Sequence, residues 1–428
     1  MLTGLETLVS EWRKALRGRS AVHTMALALV WLAMATSGFV FSEPCPTDIF
    51  TLALMVVLPV IGLVHAGPAL GLLLMTWIAS GAFGLLASLA AFEFAKAVTH
   101  TAVSIYLYGA TFILAGFIAM KPEQHLRLIF SGLTVAALLA CAAGLIGYFA
   151  LLPGADIFTK FGRATGTFKD PNVFGPFLVP ALLYAVHRAL ERPLRRSFTP
   201  LAIAGFLALG VFLSFSRGAW INLVVALGVF LLLSFLTAAD NARRQKIAFL
   251  GMFAAALVAI IVAGALQVER VANLVTERAS VSQSYDVGPE GRFGGQEKAV
   301  GLILENPMGI GAGQFSLIHH HEEVHNVYLS MTLNAGWIGA GLYIIAVLAT
   351  LGFGFYTALT RRCGAHSFLL IATAAFAANA FEGIVIDTDH WRHFYLLMAM
   401  VWGVATAPRA AVAARPVFKG RRALATPA

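Results

Sequence analysis

The sequence predicts an all-α polytopic membrane protein, a helical bundle with about 12 transmembrane helices. Of its 428 residues, 59% are hydrophobic and only 12% are charged, so long apolar runs recur along the chain. These runs are too long and continuous for barrel strands, and a backbone in hydrocarbon must satisfy its hydrogen bonds within each segment. The whole chain, residues 1–428, is therefore interpreted as one membrane domain.

Apolar runs of roughly the length that crosses a bilayer define each predicted span. Between them lie two long polar segments, 153–171 and 268–324, where function is expected to concentrate. In chain order the predicted spans are 21–42, 48–66, 68–91, 99–120, 126–152, 172–187, 198–215, 218–237, 247–267, 326–357, 367–386 and 393–408.

The basic residues predict the orientation of the chain, because lysine and arginine accumulate on the cytoplasmic side. With both termini inside, 20 of the 30 basic residues are cytoplasmic, including a basic tail at 409–428, and 16 of the 21 acidic residues are outside. The net charge of +9 is then a signal of topology. It indicates anionic membrane lipid as a neighbour and gives no support to nucleic-acid binding.

Arg217 and Arg163 are two basic residues that this topology places outside. Arg217 is the only charge in LSFSRGAW, a tight turn between apolar spans, where it can also snorkel to lipid headgroups. Arg163 lies in GRATGTFKDPNVFG, where Gly166 suits a turn and Asn172, after Pro171, is placed to cap the next helix. This second stretch also fits a purely structural corner.

Arg292 is the third outside arginine of interest. Apolar residues from Arg292 to Leu304 have helical spacing, which predicts an amphipathic helix at the outer surface within the 268–324 loop. An arginine on such a helix is commonly solvated, which is the alternative to a functional role. The helix is predicted to end at Asn306-Pro307, and the chain to return flexibly to the membrane through Gly309, Gly311 and Gly313.

Together the three arginines predict a cationic site at the outer membrane surface. Guanidinium groups bind phosphate oxygens in pairs and stay charged at physiological pH. A diphosphate is therefore the expected ligand, and a lipid-linked diphosphate would place its headgroup at this depth.

The stretch HEEVH, residues 321–325, fits the H-E-x-x-H pattern of zinc proteases. A solvated, non-catalytic histidine patch is a second interpretation. In a third, His325 and Asn326 start span ten in the same layer as the arginines, and His325 acts as a general base without metal. The zinc interpretation needs a further protein ligand, for which the candidates are Glu382, Asp387, Asp389 and His390.

The last outside turn reads DTDHWRH, residues 387–393. Asp389, His390 and Arg392 are candidate contacts to acceptor or sugar. The alternative is a salt-bridged structural loop in which Trp391 and Tyr395 are interfacial anchors.

Four stretches resemble the O-antigen ligase and O-antigen polymerase family: SFSRGAW around Arg217, GRATGTFKDPNVFG around Arg163, Arg292 followed by ENPMGIGAGQF, and HNVYLSMTLNAGWIG from His325. They occur in the order that the family has. The likeness is clearest over about 160–345. The additional histidines at 319–321 are not part of the family pattern, so metal binding beside the site stays open.

The resemblance implies a GT-C-like bundle with a large periplasmic loop in the bacterial inner membrane. The implied reaction is inverting, metal-independent and cofactor-free transfer of a glycan from undecaprenyl diphosphate to a hydroxyl of lipid A core. Arg217 and Arg292, with Arg163 less directly, would bind the donor diphosphate, His325 would activate the acceptor hydroxyl, and Asn326 would lie near it. The alternatives are an O-antigen or exopolysaccharide polymerase acting on a growing glycan, and a transporter of the lipid-linked glycan.

Overall fold

The computed structural model describes residues 21–265, 267 and 288–408, and these are mainly helical. A two-stranded hairpin, β1 Thr159–Lys160 and β2 Arg163–Ala164, interrupts the helices. The helices are α1 Ala21–Ala35, α2 Pro46–Val60, α3 Pro68–Ser88, α4 Phe94–Met120, α5 Pro122–Tyr148, α6 Pro171–Glu191, α7 Phe198–Leu213, α8 Arg217–Leu236, α9 Asn241–Ala265, α10 Arg292–Glu305, α11 Val327–Thr360, α12 His366–Glu382 and α13 Arg392–Ala405.

Six of the described helices are long and apolar enough to cross a membrane: α3, α4, α5, α6, α8 and α11. Helices α1, α2 and α7 are apolar but shorter. Each predicted span overlaps one described helix, so the all-helical architecture is confirmed. The count of twelve membrane spans stays a prediction.

Helices α12 and α13 form the centre of the bundle, and nearly all of their side chains are buried. Helix α12 packs against α8, and α13 packs against α4. Between the two central helices the rings of Phe376 and Phe394 lie 4.9 Å apart. Helices that are enclosed on all sides have no need of a polar face, which explains why both read as continuous apolar runs.

The two ends of the bundle carry different residues. The polar-loop end contains residues 149–170, 288–326 and 383–391, and it is tied together by contacts such as Lys169 Nζ to Glu43 Oε2, at 3.8 Å. The basic end contains residues 188–197, 238–246 and 361–366, where Arg361 donates to the Ala405 carbonyl over 2.8 Å. Three predicted features lie outside the described residues: the cytoplasmic basic residues near the N-terminus (Arg13, Lys14, Arg17 and Arg19), the part of the polar loop over 268–287, and the tail 409–428.

The chain before α6 forms the predicted corner but caps the helix differently. Gly166 has a φ of +55°, as a turn glycine does. The prediction that Asn172 caps α6 is wrong, because the Asp170 side chain accepts the Asn172 N–H over 2.7 Å. Pro171 occupies the first helical position, so the cap is the residue before it.

The predicted amphipathic helix is α10, which ends at Glu305, directly before Asn306-Pro307 as expected. The glycine-rich return after it, expected to be flexible, follows a packed path in the structure. Helix α11 is broken at Gly336, and the return segment packs into the break. Ile310 N–H donates to the Leu333 carbonyl over 2.7 Å, and Trp337 N–H donates to the Pro307 carbonyl over 2.9 Å.

Candidate functional site

Residues 382–387, at the end of α12 and in the turn after it, are the place where the three segments of the candidate site meet. Arg292, the first residue of α10, donates to the Val385 carbonyl. His325 N–H donates to Asp387 Oδ2 over 3.1 Å. A Cβ atom built on Gly218, beside Arg217, would lie 2.6 Å from Glu382 Oε1. The structure therefore brings Arg217, Arg292 and His325 to one end of the bundle.

His325 occupies a sharp turn immediately before α11. Its φ is 54°, in the left-handed region. Gln296 of α10 donates to the His325 carbonyl over 3.3 Å, so both backbone polar groups of this turn are engaged. The imidazole Nε2 lies 3.6 Å from Glu322 Oε2, and about a third of the side chain is exposed. The backbone of this turn is thus fixed, and the ring lies beside Glu322 and is partly open to solvent.

Burial and the positive charge of Arg292 lower the pKa of His325 below the ordinary histidine value of 6.5. The carboxylates of Glu322, Glu323 and Asp170 oppose this shift. The neutral imidazole, which is the form that can accept a proton, is therefore the dominant form at neutral pH.

Asp387 is a second titratable group at the site, and in the sequence it was a candidate only as a further zinc ligand. Its carboxylate accepts hydrogen bonds from the His325 N–H and from the Ser330 hydroxyl. Burial, together with the carboxylates of Asp389 and Glu323, raises the pKa of Asp387 to about 7. Asp389 is near it in sequence, but its burial and its contacts with Ser330, Glu323 and His325 depend on the fold, so the sequence carried no signal for this role.

Asn326 has a structural task in the first turn of α11. Its side-chain oxygen accepts the N–H groups of Tyr328 and Leu329 over 3.1 Å and 3.3 Å. Asparagine is a preferred residue at this capping position because it satisfies amides that have no partner within the helix. This oxygen is therefore engaged by the helix end, next to the predicted base.

Arg217 begins α8 directly after the capping residue Ser216, whose hydroxyl accepts the Ala219 N–H over 3.3 Å. An arginine at a helix start adds its charge to the positive end of the helix dipole. Such an end attracts anions, and free amide donors point outward there. The backbone and the side chain of this turn therefore favour the same kind of ligand.

Arg163 braces the turn that carries Arg217. Its Nε donates to the Ser214 carbonyl over 2.8 Å, and its Nη2 donates to Asn172 Oδ1 over 2.8 Å. The side chain is almost fully buried, with 9% exposed. The structure thus places Arg163 behind the turn, with donors used by the protein itself.

The three candidate contacts in the last turn are held in two separate networks. Arg392 forms a bidentate ion pair with Asp48 of α2, at 2.7 Å and 2.8 Å. Asp389 Oδ2 lies 3.4 Å from His100 Nε2, and His390 Nε2 lies 3.0 Å from the Ser104 hydroxyl. Arg392 is thus drawn toward α2, while Asp389 and His390 face α4.

Trp391 and Tyr395 are both buried, with 6% and 2% exposed. The interpretation of these two aromatic residues as interfacial anchors is therefore wrong. They belong to the core because α13 is enclosed by its neighbours.

The HEEVH stretch does not form the helix that a zinc protease requires. A short π-helix ends at His319, and residues 320–326 have no regular helical structure. His321 instead lies near Glu290 and His320, where one possible ligand atom from each falls within 4.8 Å of the others. The two histidines of the motif are therefore not presented on one face of a helix.

The fold and the site define a polytopic helical membrane protein with cationic and titratable groups gathered at one end of its bundle. Residues 202–344 match the family described as O-antigen ligase. The resemblance seen in the motifs is thereby confirmed for this segment, which contains Arg217, Arg292 and His325 but not Arg163. A comparison with curated proteins found no match.

Proposed function

We propose that this protein is an O-antigen ligase-like glycosyltransferase of the bacterial inner membrane. It transfers a glycan from undecaprenyl diphosphate to a hydroxyl of lipid A core at the periplasmic face. The observation that carries the proposal is the convergence of Arg217, Arg292 and His325 on residues 382–387. All three lie in the segment that matches the family.

Arg217 and Arg292 bind the donor diphosphate in this proposal. As the glycosidic bond breaks, negative charge grows on the departing diphosphate oxygens, and fixed guanidinium groups stabilise it. At enzyme sites, removal of one such positioned hydrogen-bond donor lowers the reaction rate by about 10²–10³-fold. Arg163 contributes indirectly, because it holds the turn before α8 through the Ser214 carbonyl.

His325 is the proposed general base. The acceptor hydroxyl attacks the anomeric carbon from the side opposite the diphosphate, its proton passes to the imidazole, and the configuration inverts. Undecaprenyl diphosphate leaves with the bonding electrons. A positioned base contributes about 10²–10⁴ in rate. The donor already carries the energy of activation, so the reaction uses neither nucleotide nor cofactor, and no metal takes part in this step.

A polymerase is the second candidate, because the matched family supports both ligase-type and polymerase-type activity. It would use the same donor site and the same base. Its acceptor would be another lipid-linked glycan, destined for O-antigen or exopolysaccharide, in place of lipid A core.

Gel analysis of surface glycans in a deletion strain separates the two candidates. A ligase defect removes every long chain from lipid A core and leaves polymer on the carrier lipid. A polymerase defect leaves core that bears single repeats. Polymer retained on the cytoplasmic face would indicate the transporter instead.

Complementation of that strain tests the three residues. We expect Arg217→Ala, Arg292→Ala and His325→Ala each to lower the rate of transfer at least about 100-fold, while the protein still accumulates in the membrane. Lys298→Ala is the matched control, because Lys298 is an exposed cation on the same helix as Arg292. Full complementation by any of the three variants would remove that residue from the site.

The zinc-protease alternative has its own test. We expect Glu322→Gln to retain transfer, and transfer by the purified protein to proceed in the presence of chelator. Loss of transfer in both would favour a functional zinc ion at the HEEVH stretch.

A further inference from the structure

His100, Asp389 and His390 form a cluster between α4 and the turn before α13. One possible ligand atom from each residue lies within 4.8 Å of the other two. His100 lies on α4, far in sequence from the adjacent Asp389 and His390, and the two segments meet because α13 packs along α4. Asp389 is buried, with 6% exposed, whereas the two histidines are partly exposed.

We propose that the His100–Asp389–His390 cluster binds one divalent transition-metal ion, with Zn²⁺ as the best fit. Two imidazoles and one carboxylate are a ligand set that zinc uses with a water molecule in the fourth position. This proposal does not rest on the proposed function, since none of the three ligands takes part in the transfer step.

The separation of the ligand atoms fits an ion better than a hydrogen bond. His100 Nε2 and Asp389 Oδ2 are 3.4 Å apart, beyond the usual hydrogen-bond range of about 2.7–3.2 Å. Ligands placed tetrahedrally about 2.0–2.1 Å from zinc are roughly 3.3–3.4 Å from each other. The pair is therefore spaced as two ligands of one ion would be.

The charge around the cluster also favours a cation. Among the described residues, the buried Asp389 carboxylate forms an ion-pair contact with His100. That histidine is a cation only when it is protonated. The imidazoles of His100 and His390 are stacked 3.9 Å apart, so protonation of both would place two like charges together. The charged side chains that act on His100 include the carboxylates of Asp389 and Glu323 and the ammonium of Lys96. A divalent ion bound by neutral imidazoles would compensate Asp389 without that repulsion.

The surroundings supply orientation and access. The Ser104 hydroxyl lies 3.0 Å from His390 Nε2 and 3.3 Å from the His100 carbonyl, so it fixes one ring relative to α4. Hydrogen bonds of this kind to a ligating histidine raise metal affinity by about 10–100-fold. The His100 side chain is 30% exposed, which leaves a route for the ion and a position for water.

Metal binding by the full-length protein in detergent tests the proposal. The chain is stripped with chelator, dialysed against micromolar Zn²⁺ and measured for metal content, and we expect one zinc per chain at this cluster. Titration with Co²⁺ supplies a second readout, because four-coordinate cobalt absorbs visible light more strongly than six-coordinate cobalt.

His390→Gln and Asp389→Asn are expected to lower zinc affinity at least about 100-fold, and Ser104→Ala about 10-fold. The His321→Gln chain is the matched control. It removes a ligand from the separate Glu290–His320–His321 group, and the zinc proposed here should remain bound to it.

Absence of zinc from the dialysed wild-type chain would overturn the proposal. So would unchanged affinity in His390→Gln and Asp389→Asn, or loss of the bound ion in His321→Gln. If the two ligand variants do not yield folded protein, the Ser104→Ala variant tests the proposal. Unchanged zinc affinity in that variant would contradict the assigned geometry.

Discussion

His325 has a left-handed backbone, which costs of order 1–3 kcal/mol for a residue with a side chain and persists only where its surroundings impose it. Here Asp387 accepts its N–H, Gln296 donates to its carbonyl, and Asn326 caps the helix that follows. The backbone that carries the imidazole is therefore fixed by contacts from three segments. Such fixed placement is what a base requires if it is to meet an acceptor hydroxyl without reorganisation.

The pH dependence of transfer follows from the state of His325. Its pKa is lowered by burial and by Arg292, so the neutral base is present above that pKa and is lost as the pH falls through it. Activity should therefore persist below pH 6.5, where an ordinary histidine is half protonated, and decline at lower pH. The measurement is a pH profile of kcat/KM with purified donor and acceptor. The charges that act on the imidazole include Arg292, Glu322, Glu323 and Asp170, while the Asp387 carboxylate accepts the backbone N–H of His325.

Glu322→Gln sharpens this prediction. Removing a carboxylate 3.6 Å from the imidazole lowers the pKa of His325 further, so the acid limb of the profile should move to lower pH. Glu297→Gln, an exposed carboxylate on α10, is the control and should leave the limb in place. A limb that moves to higher pH in Glu322→Gln would contradict the assignment of this limb to His325.

The sequence alone identifies residues that differ from their neighbours along the chain. It does not reveal roles that depend on a partner far away in sequence. Arg217 stood out because it is a charge between apolar spans. Arg392 was proposed as a sugar contact, but its partner Asp48 lies 344 positions away in sequence, and no local pattern shows that pair. The raised pKa of Asp387 depends in a similar way on burial and on Glu323, which only the fold supplies, in addition to Asp389, its neighbour in sequence.

Among the secondary-structure elements, the break in α11 determines how the polar loop returns to the bundle. Gly336 has a φ of +68° and a ψ of −179°, which glycine adopts far more readily than other residues. The interruption frees the Leu333 carbonyl, which accepts from Ile310 N–H, and the Trp337 N–H, which donates to the Pro307 carbonyl. The return segment thus satisfies backbone groups that the broken helix leaves open.

Gly336→Ala should therefore disrupt the docking of this segment. A Cβ atom at this position would lie 2.7 Å from the Pro307 oxygen, and the backbone conformation adds about 1–3 kcal/mol of strain. We expect a lower thermal midpoint in detergent and faster proteolysis within residues 306–314.

Gly341→Ala is the matched control, because it lies on the same helix and its added Cβ would meet nothing within 4 Å. Its midpoint should remain close to that of the wild type. Equal stability of the two variants would show that the break at Gly336 does not hold the return segment.

The same elements show what apolar periodicity can and cannot predict. It located α10 to within one residue at its C-terminal end, because that helix has one apolar and one polar face. It read 326–357 as one span and missed the break, since Gly336 stands in a run that is apolar on both sides. The glycines at 309, 311 and 313 were read as flexible, whereas their positive φ angles serve a packed path. A glycine in the sequence is compatible with a flexible segment and with a packed turn of positive φ. Only its contacts in the folded protein distinguish the two.

Over the whole molecule, charge separates the two ends of the bundle. Arg188, Arg243, Arg244 and Lys246 gather at the basic end, where Lys246 donates to the carbonyls of Ala189 and Leu190. The polar-loop end collects acidic groups together with the three arginines of the proposed site. Because basic loops are retained in the cytoplasm, this division predicts that the polar-loop end faces the periplasm. A donor displayed in the periplasm would then reach the site without crossing the bilayer again.

Accessibility of single cysteines tests that orientation. Cys45 and Cys141 are buried, and Cys363, the partly exposed native thiol, is first replaced by serine. In that background Lys298→Cys, on α10, should react with a membrane-impermeant maleimide in cells whose outer membrane alone has been opened. Arg244→Cys, at the basic end, should react only after the inner membrane is also permeabilised. The opposite pattern would place the candidate site in the cytoplasm, where a periplasmic donor cannot reach it, and would contradict the proposed transfer even if every residue of the site were intact.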